Sequence, residues 1–258
     1  MNWENLLQGK VSVNSGAASG IGLEISHLLA EHCATILLID KDQQGLENLK
    51  NSIHSKISEK NKLFLLNVDV SDLSFIKKIN KTNFPFLDKV DILVNNIGVD
   101  LFKDFFETSP EDYDFVNNIN CRSSFFLTQK IANFMKLRSS GSIIFMSSAN
   151  AILGNSNHAA YTVSKGGLVS LTRALAIDLG NFNINVNSIC PGSIDTPMFD
   201  RAVKSGLEKP AKELGKIYPI GRVGRADEVA NLVLFLASDL AKFITGANLP
   251  IDGGYSAK

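Results

Sequence analysis

The sequence predicts an α/β protein: a doubly wound, mostly parallel sheet of seven strands with helices on both faces, formed by residues 1–258 as a single domain. Three observations carry that expectation. Short continuous apolar runs alternate with longer amphipathic ones, the pattern of strands buried on both faces and joined by crossover helices. The 258 residues suffice for one large core. No internal repeat, low-complexity tract or Pro/Ser-rich linker divides the chain.

The first strand is KVSVN (10–14), followed by the glycine-rich turn NSGAASGIGLEI and a helical pattern over 20–32. Glycines 16, 20 and 22 permit a tight turn and let backbone approach a phosphate, and a helix starting near Gly20 aims its free amides at such an anion. ATILLID (34–40) is the second strand, ending on Asp40, and a helical pattern covers 42–58. An acidic residue there accepts hydrogen bonds from ribose hydroxyls and repels a 2′-phosphate. No Lys or Arg stands at Ala17, Ala18 or Ser19, so NAD is preferred over NADP; Lys41 would reverse this if Asp40 turned away. Asp40 also reads as the N-cap of the next helix.

NKLFLLNVDV (61–70) and VDILVNN (90–96) are the next strands, followed by helical patterns over 71–80 and 110–137. GSIIFMSS (141–148) leads to a helix over 158–180, and INVNSIC (184–190) to an irregular stretch, 191–224, with four prolines. A long insert after a strand reads as a functional lid, here at about 193–219, whose Asp200–Tyr218 portion has the pattern of an amphipathic helix over an apolar cleft. A helix over 225–238 and a short strand, ANLPI (247–251), complete the chain.

Acidic and basic residues balance at 26 each, with no block of like charge, which argues against nucleic acid or an anionic membrane as partner. No run reaches transmembrane length, and MNWENLLQGK lacks the features of a signal peptide. With Cys33, Cys121 and Cys190 scattered, reduced thiols and a cytoplasmic location are expected. The four histidines have no metal-ligand spacing, so no metal site is expected.

In AAYTVSKGGL, Tyr161 and Lys165 lie four apart at the start of a helix and so share a face. An ammonium beside a phenol favours the phenolate, and a phenol moved toward neutrality can exchange protons with a substrate. By itself such a pair usually means only an aromatic and a solvated lysine on one face.

The chain resembles the short-chain dehydrogenase/reductase family along nearly its whole length. The matching pieces occur in family order: SGAASGIG (15–22), Asp40, DVSD (69–72), NNIG (95–98), Asn120, Ser148, YTVSK (161–165), PGSIDTPM (191–198) and IDGG (251–254). Three departures are mild: Ser15 for Thr, Ile97 for Ala in the NNAG motif, and Ala151 for a Gly that often follows the serine pair. The resemblance implies a Rossmann-type oxidoreductase that moves a hydride between nicotinamide and a secondary alcohol or ketone.

It implies a catalytic set of Asn120, Ser148, Tyr161 and Lys165. Tyr161 would be the acid/base, Lys165 would lower its pKa and hold the ribose, Ser148 would bind the substrate oxygen, and Asn120 would hold a water joining Lys165 to solvent. Ser147 is the fallback for Ser148, since alternation lets only one face the site. Cofactor contacts are expected from Ser15, Gly16, Ser19, Gly20, Ile21 and Gly22 in the loop, and from Asp40, Asp69 and Val70 around the adenosine. Asn96, Gly98, Tyr161, Lys165, Pro191, Gly192, Ile194 and Thr196 would meet the nicotinamide half. Substrate contacts would come from Ser148, Asn150, His158, Tyr161 and Met198.

The substrate remains open among an alcohol or polyol, a hydroxysteroid and a 3-oxoacyl thioester. An NADPH-dependent 3-oxoacyl carrier-protein reductase is the alternative enzyme, and a non-catalytic nucleotide-binding scaffold the alternative class. Apolar residues Phe115, Ile119, Phe126 and Leu127, with Leu168, Leu171, Leu175 and Leu179, exceed what one sheet face needs. They predict a homotetramer, or a homodimer, through the helices at 110–137 and 158–180.

Overall fold

A computed structural model describes residues 6–33, 35–54 and 62–257. Strands β1 (Val11–Ser15), β2 (Thr35–Asp40), β3 (Lys62–Asn67), β4 (Ile92–Asn95), β5 (Gly141–Met146) and β6 (Ile184–Pro191) lie within the expected runs or overrun them by one residue at an end. Two short strands follow, β7 (Ile194–Asp195) and β8 (Gly224–Arg225), then β9 (Asn248–Ile251). The main sheet has seven strands in the order β3-β2-β1-β4-β5-β6-β9, every pair parallel. Order reverses between β1 and β4, so the crevice for a ligand opens beyond the carboxyl ends of these two strands. Pro250, which lacks a ladder donor, sits in the edge strand β9 where none is needed.

Alternation along each strand feeds two separate cores. Ile36 and Leu38 of β2 pack in the layer that holds Ile25 and Leu29 of α1 (Gly20–His32) and Val229 and Val233 of α9 (Ala226–Ala237). Leu37 and Ile39 pack on the other face with Leu127 and Ile131 of α5 (Ser123–Arg138) and Leu168 of α6 (Ala159–Gly180). Continuous apolar strands are therefore the sequence of a sheet with no solvent face.

Helix α2 (Gln43–His54) covers the described part of the pattern at 42–58; positions 55–58, like 34 and 61 in the strand runs, lie outside the described residues. The helix expected over 71–80 shrinks to one turn, α3 (Phe75–Lys78). Asp69 accepts from the Ser71 amide at 2.9 Å, and Asp72 from the Ser74 amide at 2.8 Å and its hydroxyl at 2.6 Å. These local side-chain bonds offer the backbone turns in place of a helix.

The pattern at 110–137 splits into α4 (Pro110–Asn117), a π-helical turn over Asn118–Arg122, and α5. Helix α4 begins at a capping box between Ser109 and Asp112 with Pro110 in its first turn, both strong start signals. The lid is likewise not one helix. Helices α7 (Pro197–Lys204) and α8 (Ala211–Leu214) are separated by a turn through Gly206, whose φ of +75° suits glycine. Phe199, Leu214 and Tyr218 form the lid's own buried cluster, and pairing of β7 with β8 closes its base.

Of the residues expected to supply an apolar subunit surface, Ile119, Leu127 and Leu168 are buried, and Leu171, Leu175 and Leu179 pack against the core. Phe115 is exposed, together with Phe125 and Ile177. No helix among the described residues is long and apolar enough to cross a membrane.

Candidate active site

A cleft of about 800 Å³ runs across the carboxyl ends of the strands, roofed by the lid. Its floor at one end is the turn after β1. Gly16 has a φ of +70°, and a Cβ on Gly22 would overlap the Gly16 carbonyl oxygen. The Asn96 side chain fastens this turn by donating to the Gly16 carbonyl at 2.9 Å. Ser19, at the N-cap of α1, makes no side-chain cap, and the first turn has no acidic residue. The leading amides of a thirteen-residue helix therefore face the cleft without a carboxylate or cap of their own, which suits a bound pyrophosphate.

Asp40 is fixed at the edge of this floor. Its Oδ2 accepts from the Ala18 amide at 2.9 Å and its Oδ1 from the Asp42 amide at 3.0 Å. It does not cap α2; Asp42 does, accepting from the Gly45 amide at 2.9 Å. Lys41 and Asp69 line the cleft beside it, with Val70. Hydrogen bonds from Ser71 hold the Asp69 carboxyl below the usual range.

At the far end of the floor stand Tyr161 and Lys165, four apart on α6, with Ser148, just beyond β5, close enough to act on the phenol. Ser147 and Ser148 both line the cleft; the Ser147 hydroxyl is committed to the Lys165 carbonyl at 2.9 Å, while Ser148 Oγ accepts from the Asn150 amide at 3.1 Å. Lys165 is buried, its Nζ 5.9 Å from the Tyr161 ring centre and donating to the Met146 carbonyl at 2.8 Å. A Cβ on Gly98 would stand 2.9 Å from that Nζ, so glycine here makes room for the ammonium.

The electrostatics correct one expectation. The lysine does not depress the phenol; burial raises the Tyr161 pKa, Asp100 adds to it, and the Ser148 hydrogen bond only partly opposes it. Burial also pulls Lys165 down to about 8, against the opposing pull of Asp100. Desolvation is the largest cause for both groups.

Asn120 does not line the cleft. Its Nδ2 spends both protons, on the Val99 carbonyl and the Ser164 hydroxyl at 2.9 Å each, and its Oδ1 accepts from the Val99 amide at 2.8 Å. The amide thus has no proton left for the expected water and ties the loop after β4 to α6. Ser15 and Gly22 also lie behind the cleft surface. Ser15 donates to the Val94 carbonyl at 3.2 Å, and Gly22 packs on Gly16. The other expected contacts, Gly16, Ser19, Gly20, Ile21, Asn96, Gly98, Pro191, Gly192, Ile194 and Thr196, all line it, as do Asn150, His158 and Met198. Thr196 also caps α7 and sits over Gly20.

Sequence reading missed Asp100, Asn155 and Tyr255, and placed Tyr218 only as the end of the lid. Asp100 follows the NNIG turn at the carboxyl end of β4, a position that points into the crevice in this fold. The Tyr218 hydroxyl accepts from the Ser193 amide at 2.8 Å and anchors the lid. Tyr255 lies just beyond IDGG, and its hydroxyl donates to Asn155 at 3.3 Å. No group of three or more potential metal ligands occurs among the described residues.

Residues 16–256 match a family model described as enoyl-(acyl carrier protein) reductase. The chain is 35% identical to the 3-oxoacyl-(acyl-carrier-protein) reductase of Thermotoga maritima, covering 96% of this chain and 98% of that one. It is 36% identical to the NAD-dependent glycerol dehydrogenase of Listeria innocua, covering 96% and 94%. The structure of levodione reductase superposes with a TM-score of 0.91 at 30% identity, covering 97% of this chain and 99% of that one.

Proposed function

The chain belongs to the short-chain dehydrogenase/reductase family of oxidoreductases, and on that footing we propose that it interconverts a secondary alcohol and its ketone with NAD(H), using Tyr161 as acid and base. One observation carries this reading: a single cleft joins a glycine-floored turn bordered by Asp40 to a point where Ser148, Tyr161 and Lys165 converge.

Gly16, Gly20 and the amides opening α1 would hold the pyrophosphate, Asp40 the adenosine ribose, and Lys165 the nicotinamide ribose. Bound there, the dinucleotide supplies the hydride acceptor in oxidation or the donor in reduction. Ser148 binds the substrate oxygen. In reduction the neutral phenol gives its Oη proton to the ketone oxygen; in oxidation Oη takes the hydroxyl proton back, so atoms and charge balance in either direction. Asn120 is a positioning residue.

Asp40 supports NAD over NADP because two backbone amides fix its carboxylate, which cannot swing away to let Lys41 meet a 2′-phosphate. The rival, an NADPH-dependent 3-oxoacyl reductase, draws support from the Thermotoga relative. Assembly into four copies is part of this proposal and now rests on Phe115, Phe125 and Ile177.

The test is a panel of alcohols with NAD⁺ and NADP⁺, read by absorbance of the reduced cofactor, with Tyr161→Phe as control. The variant is expected to keep cofactor binding and lose turnover by about 10²- to 10⁴-fold. Undiminished turnover would refute the assignment.

A further inference from the structure

Beside Tyr161 the cleft wall carries a pair that the proposed chemistry does not use. The His158 imidazole uses Nδ1 on the Ser156 carbonyl at 2.9 Å, which turns Nε2 toward Asp100 Oδ1 at 3.7 Å. Edge-on contacts hold the ring, with centroids 5.0 Å from Phe102 and 5.9 Å from Tyr161. The Asp100 carboxylate lines the cleft and accepts no hydrogen bond within 3.5 Å from any described residue. Its charge is felt at both Tyr161 and Lys165, so it faces the reacting centre.

A separation of 3.7 Å is too long for a direct hydrogen bond. It fits one hydroxyl oxygen lying about 2.8 Å from each partner, donating to the carboxylate and bonded to the imidazole. The surrounding charge selects the kind of group. Glu208 of the lid also acts electrostatically on His158, so two carboxylates bracket the position and disfavour an anion. On the same lid, Lys209 is occupied by Glu213 at 3.0 Å.

We infer that Asp100 and His158 form a hydroxyl-reading wall, and that the substrate is a neutral polyhydroxy or hydroxy-carbonyl compound with a second hydroxyl next to the reacting carbon. This rests on the oxidoreductase reading above and names the substrate class of the same site. The wall binds without taking part in proton or hydride transfer.

Butane-2,3-diol and butan-2-ol share a skeleton and differ by that hydroxyl, so the ratio of their kcat/KM values measures the wall. The diol is expected to be preferred by at least about tenfold, the worth of one hydrogen bond to a charged group. Asp100→Ala should abolish the preference mainly through KM for the diol, while Asp100→Asn, which keeps an acceptor, should restore part of it. A purely structural role would lower both substrates together and leave the ratio unchanged, overturning the inference. Preference for 3-hydroxybutyrate over the diol would also overturn it. Calorimetry with NAD⁺-loaded Tyr161→Phe protein gives a readout free of turnover: the diol should bind more tightly than butan-2-ol, and equal or undetectable binding of the two counts against the wall. If no alcohol is turned over with either dinucleotide, the oxidoreductase reading fails, and the calorimetric arm still decides the wall.

Discussion

Replacing Lys165 by Met should stabilise the fold while destroying the site, and by an amount that changes with pH. The buried ammonium loses its proton near pH 8 in the folded protein, against 10.5 ordinarily. Between these values the unfolded chain holds a proton that the folded chain lacks, so stability rises with pH. Below pH 8 the full penalty of the buried charge applies, about 3 kcal/mol at about 1.36 kcal/mol per pH unit. At pH 9.5 less than half of it remains. Methionine removes the penalty but leaves the Met146 carbonyl without its donor, which costs about 1–2 kcal/mol. The variant should therefore be more stable by about 1–2 kcal/mol at pH 7, a gain of about 2–8 °C in Tm for a chain of this size, and close to wild type at pH 9.5. Thermal unfolding of both proteins by circular dichroism at intervals from pH 7 to 9.5 tests this. Tyr161, whose pKa is raised, stays neutral in the folded state and disturbs the comparison only where an ordinary phenol ionises, above about pH 10. Parallel Tm profiles would mean that the lysine carries no burial penalty, and the reasoning would fail.

Three further outcomes are expected. Gly22→Ala should abolish NAD⁺ binding in a fluorescence titration, because its methyl overlaps the Gly16 carbonyl and forces the phosphate turn open; wild-type affinity would show that the turn does not hold the cofactor. Asp40→Ser should weaken NAD⁺ by about tenfold or more, through loss of a charged acceptor, and shift the preference toward NADP⁺; an unchanged NAD⁺/NADP⁺ ratio of kcat/KM would remove Asp40 from that choice. In the reduction direction kcat/KM should be flat from pH 6 and fall above about 8, since Lys165 then loses its charge while the phenol remains the neutral acid. A profile flat to pH 10 would show that the charge is not needed.

Strand positions, the glycine turn and the placement of Tyr161 with Lys165 were legible in the sequence because each follows from a local rule: apolar continuity, a missing Cβ, helical spacing. Alternation did not separate the two serines, since Ser147 and Ser148 both line the cleft and differ only in that Ser147 is committed to the Lys165 carbonyl. Less legible was whatever depends on what surrounds a residue. The helix at 71–80 yields to Asx turns that only the placed carboxylates reveal. The pKa of Tyr161 moves opposite to the expected direction because burial, which spacing does not encode, is the largest influence on it and the Asp100 carboxylate adds to it. Asp100 escaped notice because it carries no motif, only a position at a strand end. Leu168, Leu171 and Leu175 looked like surplus surface until the sheet face they cover was in view.

The two halves of the cleft are held by opposite means. The end of the cleft after β1 is made by absence, since Gly16 and Gly22 matter for the atoms they leave out, as Gly98 does beside Lys165 at the other end. The end that holds Tyr161 and Lys165 is made by polar joints. Asn120 is turned inward by the π-helical turn, a distortion typical of functional sites, and pins the loop after β4 to Ser164 of α6. Ser164 in turn donates to the Tyr161 carbonyl at 2.7 Å, and Ser147 to that of Lys165. Tyr161 and Lys165 are thus clamped from β4 and β5 at their backbone, which leaves the phenol free for the proton exchange proposed for it. The Asn120–Ser164 and Ser147–Lys165 joints are buried, so losing one partner leaves the other unsatisfied at about 1–3 kcal/mol. On the proposed chemistry Asn120 would therefore act through position: its side chain is committed to tying the loop after β4 to α6, the helix that carries Tyr161 and Lys165.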